Sequence, residues 1–146
     1  MIIIVDSNIL FSACISPSSK ISEILFSPLP HIQRISCYYA IAELFKHQER
    51  IIKLSKLSAD KLNVLFYALL RQVEFLNENM ITTKNWKDAD VLTSGVDSND
   101  ISFVALALQK NGWLWTGDKK LTEHLRKNNF NKVINTTDLY NMLEVG

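Results

Sequence analysis

Ile2-Ile3-Ile4-Val5-Asp6-Ser7-Asn8 is the stretch whose reading decides the fold. Four consecutive β-branched residues are apolar on both sides of the chain, as a strand buried on both faces of a parallel sheet requires. The run stops at Asp6. Asp6, Ser7 and Asn8 are all helix N-cap types, and the short apolar segment Ile9–Cys14 follows them. A buried strand that ends in an acid and turns directly into a helix is the opening of a parallel α/β sheet, and such sheets place their sites at the carboxyl ends of their strands.

The rest of the chain extends that pattern. Ser16-Pro17-Ser18-Ser19 is a break and a new helix start, with Ile21, Ile24 and Leu25 at helical spacing and Pro28 and Pro30 as the stop. His31–Cys37 alternates roughly and reads as a second strand, and Tyr38–Lys53 reads as a helix carrying Glu43. Ala59–Leu76 is the longest helical pattern, with Leu62, Leu65, Phe66, Leu69, Leu70 and Val73 three or four residues apart. After a polar turn at Asn77–Asn79, Trp86–Thr93 reads as a short helix closed by Gly95. Asp97-Ser98-Asn99-Asp100 opens Ile101–Gln109, a helix with so little polar surface that it is expected to be central. Trp113–Thr116 is then a strand, Lys119–Lys127 a helix, Lys132–Ile134 a short strand and Asp138–Leu143 a closing helix. The order predicts one domain over residues 1–146, a three-layer α/β/α fold around a short, mainly parallel central sheet.

Composition bounds the setting. A chain of 146 residues with 47% hydrophobic and 21% charged residues suits one soluble core. Cys14 and Cys37 have neither metal nor redox spacing and sit among apolar residues, the environment of buried free thiols in a reducing compartment. The first residues lack the basic segment of a signal peptide, and no apolar run approaches the ~20 residues that span a bilayer, so a cytoplasmic location without membrane attachment is expected. Sixteen Lys and Arg face fifteen Asp and Glu, for a net charge of +1. With five acids set aside as a site, sixteen face ten, and the remaining +6 favours a polyanionic partner.

Those five acids are Asp6, Glu43, Asp97, Asp100 and Asp118. Asp6 ends the first strand, and Asp118 follows the strand Trp113–Thr116 with Gly117 between them. Asp97 and Asp100 stand at the mouth of the apolar helix, and Glu43 lies early in its own helix behind Ala40 and Ala42. Each has an ordinary explanation: a helix cap for the four aspartates, a solvated helix face for Glu43. Gathered at one sheet edge, however, acids repel one another unless a cation is present. The pattern therefore points to a divalent metal and, through it, to phosphodiester chemistry. Asn8 is placed to hold a water or orient Asp6, and the Thr116 hydroxyl to hydrogen-bond an acid of the site. Gly117 suggests close backbone approach or an unusual φ.

The same residues resemble the PIN-domain family. Val5-Asp6-Ser7-Asn8-Ile9-Leu10 resembles its first motif and Ala42-Glu43-Leu44 its second. Asp97-x-x-Asp100-x-x-Phe103-x-Ala105-Leu106-Ala107 and Leu114-Trp115-Thr116-Gly117-Asp118-Lys119-x-Leu121 resemble the third and fourth, in the same order along nearly the whole chain. The nearest branch is that of single-domain bacterial and archaeal PIN proteins, which includes toxins of the VapC type. The resemblance implies an α/β/α domain, Mg²⁺ or Mn²⁺, and endonucleolytic cleavage of RNA. It makes Asp6, Glu43, Asp100 and Asp118 the catalytic and metal-binding acids and Asp97 a further acid of this branch. One departure is that Lys119 and Lys120 stand where many relatives carry another acid or Asn. That weakens a second metal position and offers two cations to a phosphate.

Hydrolysis by a water activated in this way would leave a 5′-phosphate and a 3′-hydroxyl, without a histidine pair. Lys46, Arg50, Lys119 and Lys120, with Lys53, Lys56, Lys84 and Lys87, are candidates to line an RNA groove, and Tyr38, Tyr39 and Trp86 are candidates to stack on bases. The apolar stripe of the long helix exceeds what a small core needs, which leaves room for an antitoxin segment or a second copy of the chain. Two alternatives come from other classes. A PIN-fold RNA-binding or scaffold protein would keep the fold without catalysis. A receiver-type phosphoacceptor domain would need an acid pair after the first strand, where Asp6-Ser7-Asn8 supplies a single acid; an Asp-x-Asp phosphatase fails at Asn8 for the same reason.

Overall fold

In the computed structural model, residues 1–96 and 101–143 are described. The β-branched opening run is β1 (Ile2–Val5), and it takes the central place in a five-stranded sheet. Its neighbours are β2 (Gln33–Cys37) on one side and β4 (Trp113–Trp115) on the other, both parallel to it, with Ile4 opposite Ile35 and Leu114. β3 (Glu74–Leu76) adds to β2 and β5 (Val133–Ile134) to β4, again in parallel, for the order β3-β2-β1-β4-β5. Ile3, Ile4 and Val5 are completely buried because helices cover both faces of the sheet. The arrangement is a three-layer α/β/α fold, as expected.

The helices are α1 (Ser7–Ile15), α2 (Lys20–Phe26), α3 (Tyr38–Lys46), α4 (Gln48–Ser55), α5 (Ala59–Leu70), α6 (Thr83–Leu92), α7 (Ile101–Lys110), α8 (Lys119–Lys127) and α9 (Thr136–Leu143). The apolar α7 lies against β1, β2 and β4 with α6 packed on it, and Phe103 through Ala107 are buried. α1 gathers α2, α3, α4 and α5 around itself. Arg34 of β2 ties down the end of α2 by donating to the carbonyls of Ile24 (2.7 and 3.0 Å) and Ser27 (2.7 Å), where a cation also meets the negative end of the helix dipole. Among the described residues, no single helix is long and apolar enough to cross a membrane. Both cysteines are buried, and burial pushes each thiol up to about 12, which leaves them as inert packing groups.

Two elements differ from the sequence reading. The long helix stops at Leu70, and the tail of the apparent stripe is the edge strand β3, whose Glu74 accepts a hydrogen bond from Gln33 at 2.8 Å. Val73 continues the helical spacing by coincidence, and a strand of three residues is too short to show an alternation of its own. The helix expected over Tyr38–Lys53 is two helices broken at His47, and the bend returns Ile51 to the core, where it is completely buried. α3 has no side-chain cap from Cys37 in front of it. Glu78, in the 3₁₀ turn Glu78–Met80, accepts the Tyr39 N–H at 2.9 Å instead.

Tight packing at the start of β4 yields a stability prediction. A β-carbon added at the buried Gly112 would meet Ile2 Cγ2 at 2.9 Å, the Ile2 carbonyl oxygen at 3.2 Å and Ile4 Cγ1 at 3.3 Å, whereas one added at Gly117 would meet nothing within 4 Å. Gly112→Ala is expected to cost about 1–3 kcal/mol, and Gly117→Ala to stay within about 0.5 kcal/mol of the parent. Urea denaturation midpoints of the two variants check this.

Candidate metal centre

The strand order reverses direction at β1: the chain first builds outward through β2 and β3, then returns to the other side with β4 and β5. In open parallel sheets the crevice for a ligand opens at this switch, outside the carboxyl ends of the two strands. Asp6 stands at the end of β1 and Asp118 three residues past the end of β4. The Asp6 N–H donates to the Trp115 carbonyl (3.4 Å), which ties the two strand ends together, and the Ser36 hydroxyl occupies the Val5 carbonyl at 2.7 Å.

Both acids are helix caps. Asp6 Oδ1 accepts the Ile9 N–H at 2.9 Å, and Asp118 Oδ1 accepts the Leu121 N–H at 3.0 Å. The cap fixes the direction of each carboxylate and uses only one oxygen. Asp6 is 2% exposed, and its Oδ2 has no hydrogen-bond partner among the described residues. Burial pushes Asp6 up to about 6, and the charge of Asp118 pushes in the same direction. The Thr116 hydroxyl and the N–H groups of Ile9 and Asn8 pull the other way. Thr116 thus serves both acids: it favours the charged form of Asp6, and its oxygen accepts the Asp118 N–H at 3.2 Å.

Glu43 comes from the β2 side, on α3, which packs on α1. It lines a cavity of about 80 Å³ with Ser7, Asn8, Phe11, Leu44, His47 and Arg50. Asn8 therefore reaches Asp6 through its backbone N–H and shares the cavity with Glu43. His47 Nε2 lies 3.4 Å from Glu43 Oε2, its ring stands edge-on to Phe11, and Arg50 lies over the Phe11 ring at 5.5 Å. The sequence does not single out His47; its spacing of four residues from Glu43 is the available signal. Ser7 was also passed over except as a cap type. Gly117 has neither the crowding nor the positive φ expected of it. Of the cations, Arg50 lines this cavity and Lys119 a second one, while Lys46 and Lys120 are exposed on α3 and α8.

Asp97 and Asp100 lie outside the described residues. Among the described residues, no three acidic, histidine or cysteine side chains gather closely enough to hold an ion by themselves. The residues present nevertheless suit a hard divalent cation: oxygen donors, two neighbouring carboxylates, and one buried carboxylate oxygen without a partner among the described residues.

The raised Asp6 gives a prediction with a definite sign. Between its ordinary value of 3.8 and about 6, the folded protein holds a proton that the unfolded chain has lost. Without metal, stability must therefore fall as pH rises through that window, by on the order of 3 kcal/mol. Asp6→Asn keeps the cap and removes the charge. In EDTA the variant should become progressively more stable than the parent from pH 4 to pH 6.5, and denaturation midpoints that run in parallel would contradict this.

The comparisons with known proteins agree with this architecture. None of the curated proteins matches the chain in sequence. Among solved structures, VapBC-1 from nontypeable Haemophilus influenzae superposes with a TM-score of 0.68 at 20% identity, covering 94% of this chain and 99% of that one. VapBC2 from Rickettsia felis, bound to a DNA fragment from its promoter, gives 0.66 at 15% identity over 92% and 97%. PAE2754 from Pyrobaculum aerophilum gives 0.67 at 14% identity over 97% and 88%. At these identities the likeness is one of fold. The family model described as PIN domain matches residues 4–133, from within β1 to the start of β5, and the chain belongs to the PIN-domain family.

Proposed function

We propose that this chain, acting as one domain, is an endoribonuclease that depends on Mg²⁺ or Mn²⁺. The observation that carries the reading is the buried carboxylate of Asp6, one oxygen of which has no hydrogen-bond partner among the described residues, next to Asp118 at the switch point of the sheet. Asp6 and Asp118 would hold the cation from β1 and β4, with Glu43 facing them from α3. Asp100 and Asp97 complete the acidic set by their place in the family motif. Bound there, the ion would polarise the scissile phosphate and acidify the attacking water. A carboxylate of the set would take that water's proton. Thr116 would keep the two central acids in register, and the cations Lys46, Arg50, Lys119 and Lys120 would steer the polyanion to an otherwise repulsive edge.

A role as the toxin of a toxin–antitoxin pair accompanies this reading. VapBC complexes are among the structures it resembles, and α5 leaves Val64 and Tyr67 about two-thirds exposed, a surface for an antitoxin segment or a second copy. The family match sets aside the receiver-type and Asp-x-Asp alternatives. A PIN-fold RNA-binding or scaffold protein remains the competing reading.

Single-stranded RNA incubated with Mg²⁺ or Mn²⁺ should be cut into fragments carrying 5′-phosphate and 3′-hydroxyl ends. Asp6→Asn and Asp118→Asn should each lower the rate by at least about 100-fold, and Glu43→Gln should also lower it. Products ending in a 2′,3′-cyclic phosphate, or cleavage that persists in EDTA, would overturn the metal-hydrolysis scheme. A wild-type protein that binds RNA without cutting it would favour the scaffold reading.

A further inference from the structure

A second cavity, of about 360 Å³, opens on the β5 side of the acid pair and touches neither Asp6 nor Asp118. Its inner wall is Thr116 and Gly117, the segment that leads from β4 to Asp118. Its outer wall is the exposed side of α8 and the start of α9. Resting on the nuclease reading above, we infer that this cavity seats a nucleotide of the RNA strand next to the cleaved bond, with its phosphate against Lys119 and Arg126 and its ribose against Asn135, Thr136 and Thr137.

Counting donors supports an anion. The Asn135 amide oxygen is occupied by the Asp138 N–H at 2.8 Å, so the amide's NH₂ group is what remains to offer. The Thr136 hydroxyl accepts the Trp115 indole N–H at 3.0 Å, which leaves its own proton to donate. Arg126 spends one N–H on the Val133 carbonyl at 3.4 Å and keeps the rest of its fork. Lys119 is exposed and has no hydrogen-bond or ion-pair partner among the described residues. Among the described residues, the only acid in the lining is Glu123. A lone phosphate would leave most of this volume empty and would gain nothing from Glu123. A ribose brings a 2′-hydroxyl that can donate to that carboxylate while accepting from Asn135 or Thr137.

Placement decides which nucleotide is meant. β5 lies two strands from β1, about 10 Å across the sheet. The smaller cavity with Asn8 and Arg50 lies on the opposite side of the acid pair, toward β2. A strand whose scissile phosphate sits over β1 and β4 would thus continue into the larger cavity on one side and pass Arg50 on the other.

The test measures RNA affinity in an Asp6→Asn background with Mg²⁺ present, so that the strand stays intact, using fluorescence anisotropy of a short single-stranded RNA. Lys119→Gln and the pair Lys119→Gln with Arg126→Gln are compared with Lys127→Gln, which removes the same charge from the same helix outside the cavity. Lys119→Gln alone disturbs no described contact, which guards against a loss that reflects β5 coming loose from Arg126. The expected result is a Kd several-fold higher for Lys119→Gln and roughly 10- to 100-fold higher for the pair, a salt slope shallower by about one per charge removed, and little change for Lys127→Gln. Equal effects of Lys119→Gln and Lys127→Gln, or none from the pair, would overturn the inference and leave the nuclease reading standing. Cavity-dependent binding together with a wild-type protein that cuts no RNA in Mg²⁺ or Mn²⁺ would sink the nuclease reading and keep the cavity as an RNA site. Failure of both the Asp6→Asn and the wild-type protein to bind or cut RNA would sink both.

Discussion

A carboxylate at the end of the central strand of a parallel sheet has nowhere to go but inward. β1 is flanked by β2 and β4 and covered on both faces, so the residue that follows it is sealed in by the same packing that buries Ile3, Ile4 and Val5. Asp6 occupies that place with one oxygen satisfied by the first turn of α1 and the other without a hydrogen-bond partner among the described residues. Burying such a group is unfavourable, and a second acid nearby makes it more so. Selection for stability alone would favour Asn or Ser here, which cap a helix equally well without the charge. The molecule instead keeps two acids close at the one edge where the topology opens a crevice, a conflict that a divalent cation would resolve.

Capping and ligation, which the sequence presents as rival explanations of an aspartate after a strand, turn out to be compatible. A carboxylate has two oxygens and a cap needs one. The bonds to Ile9 and Leu121 fix the rotation of each side chain, so the direction of its second oxygen is set by the cap and would not need to be set by an ion. Thr116 then couples the two caps by touching both residues. Glu43 is set by a longer chain of contacts. Glu78 caps α3 from the loop after β3, α3 packs on α1, and His47 meets the Glu43 carboxylate from the break between α3 and α4.

Much of this was legible in the order of residues. The β-branched run at Ile2–Val5 named the central strand because only a strand covered on both faces is apolar at every position. α8 was legible to the residue because Asp118 caps it and a basic last turn closes it. Acids after two strands pointed to the edge where they do meet. What was hidden was short or distant. β3 has three residues and no period of its own, and it was absorbed into the apolar stripe of the helix before it. The break at His47 carries no Pro or Gly; only the burial of Ile51 demands it. The cap of α3 by Glu78 joins residues 39 positions apart, which no local pattern can announce. The cavity beside Asp118 is built from α8 and the start of α9, brought together only by the pairing of β4 with β5.

The central claim is that Asp6 and Asp118 form one cation site. A crystal soaked in MnCl₂ and measured at the manganese absorption edge tests it most directly. The account predicts an anomalous peak at coordination distance, about 2.1–2.2 Å, from Asp6 Oδ2 and from a carboxylate oxygen of Asp118. A soaked crystal with Asp6 Oδ2 bare, or with manganese held only elsewhere on the surface, would contradict it.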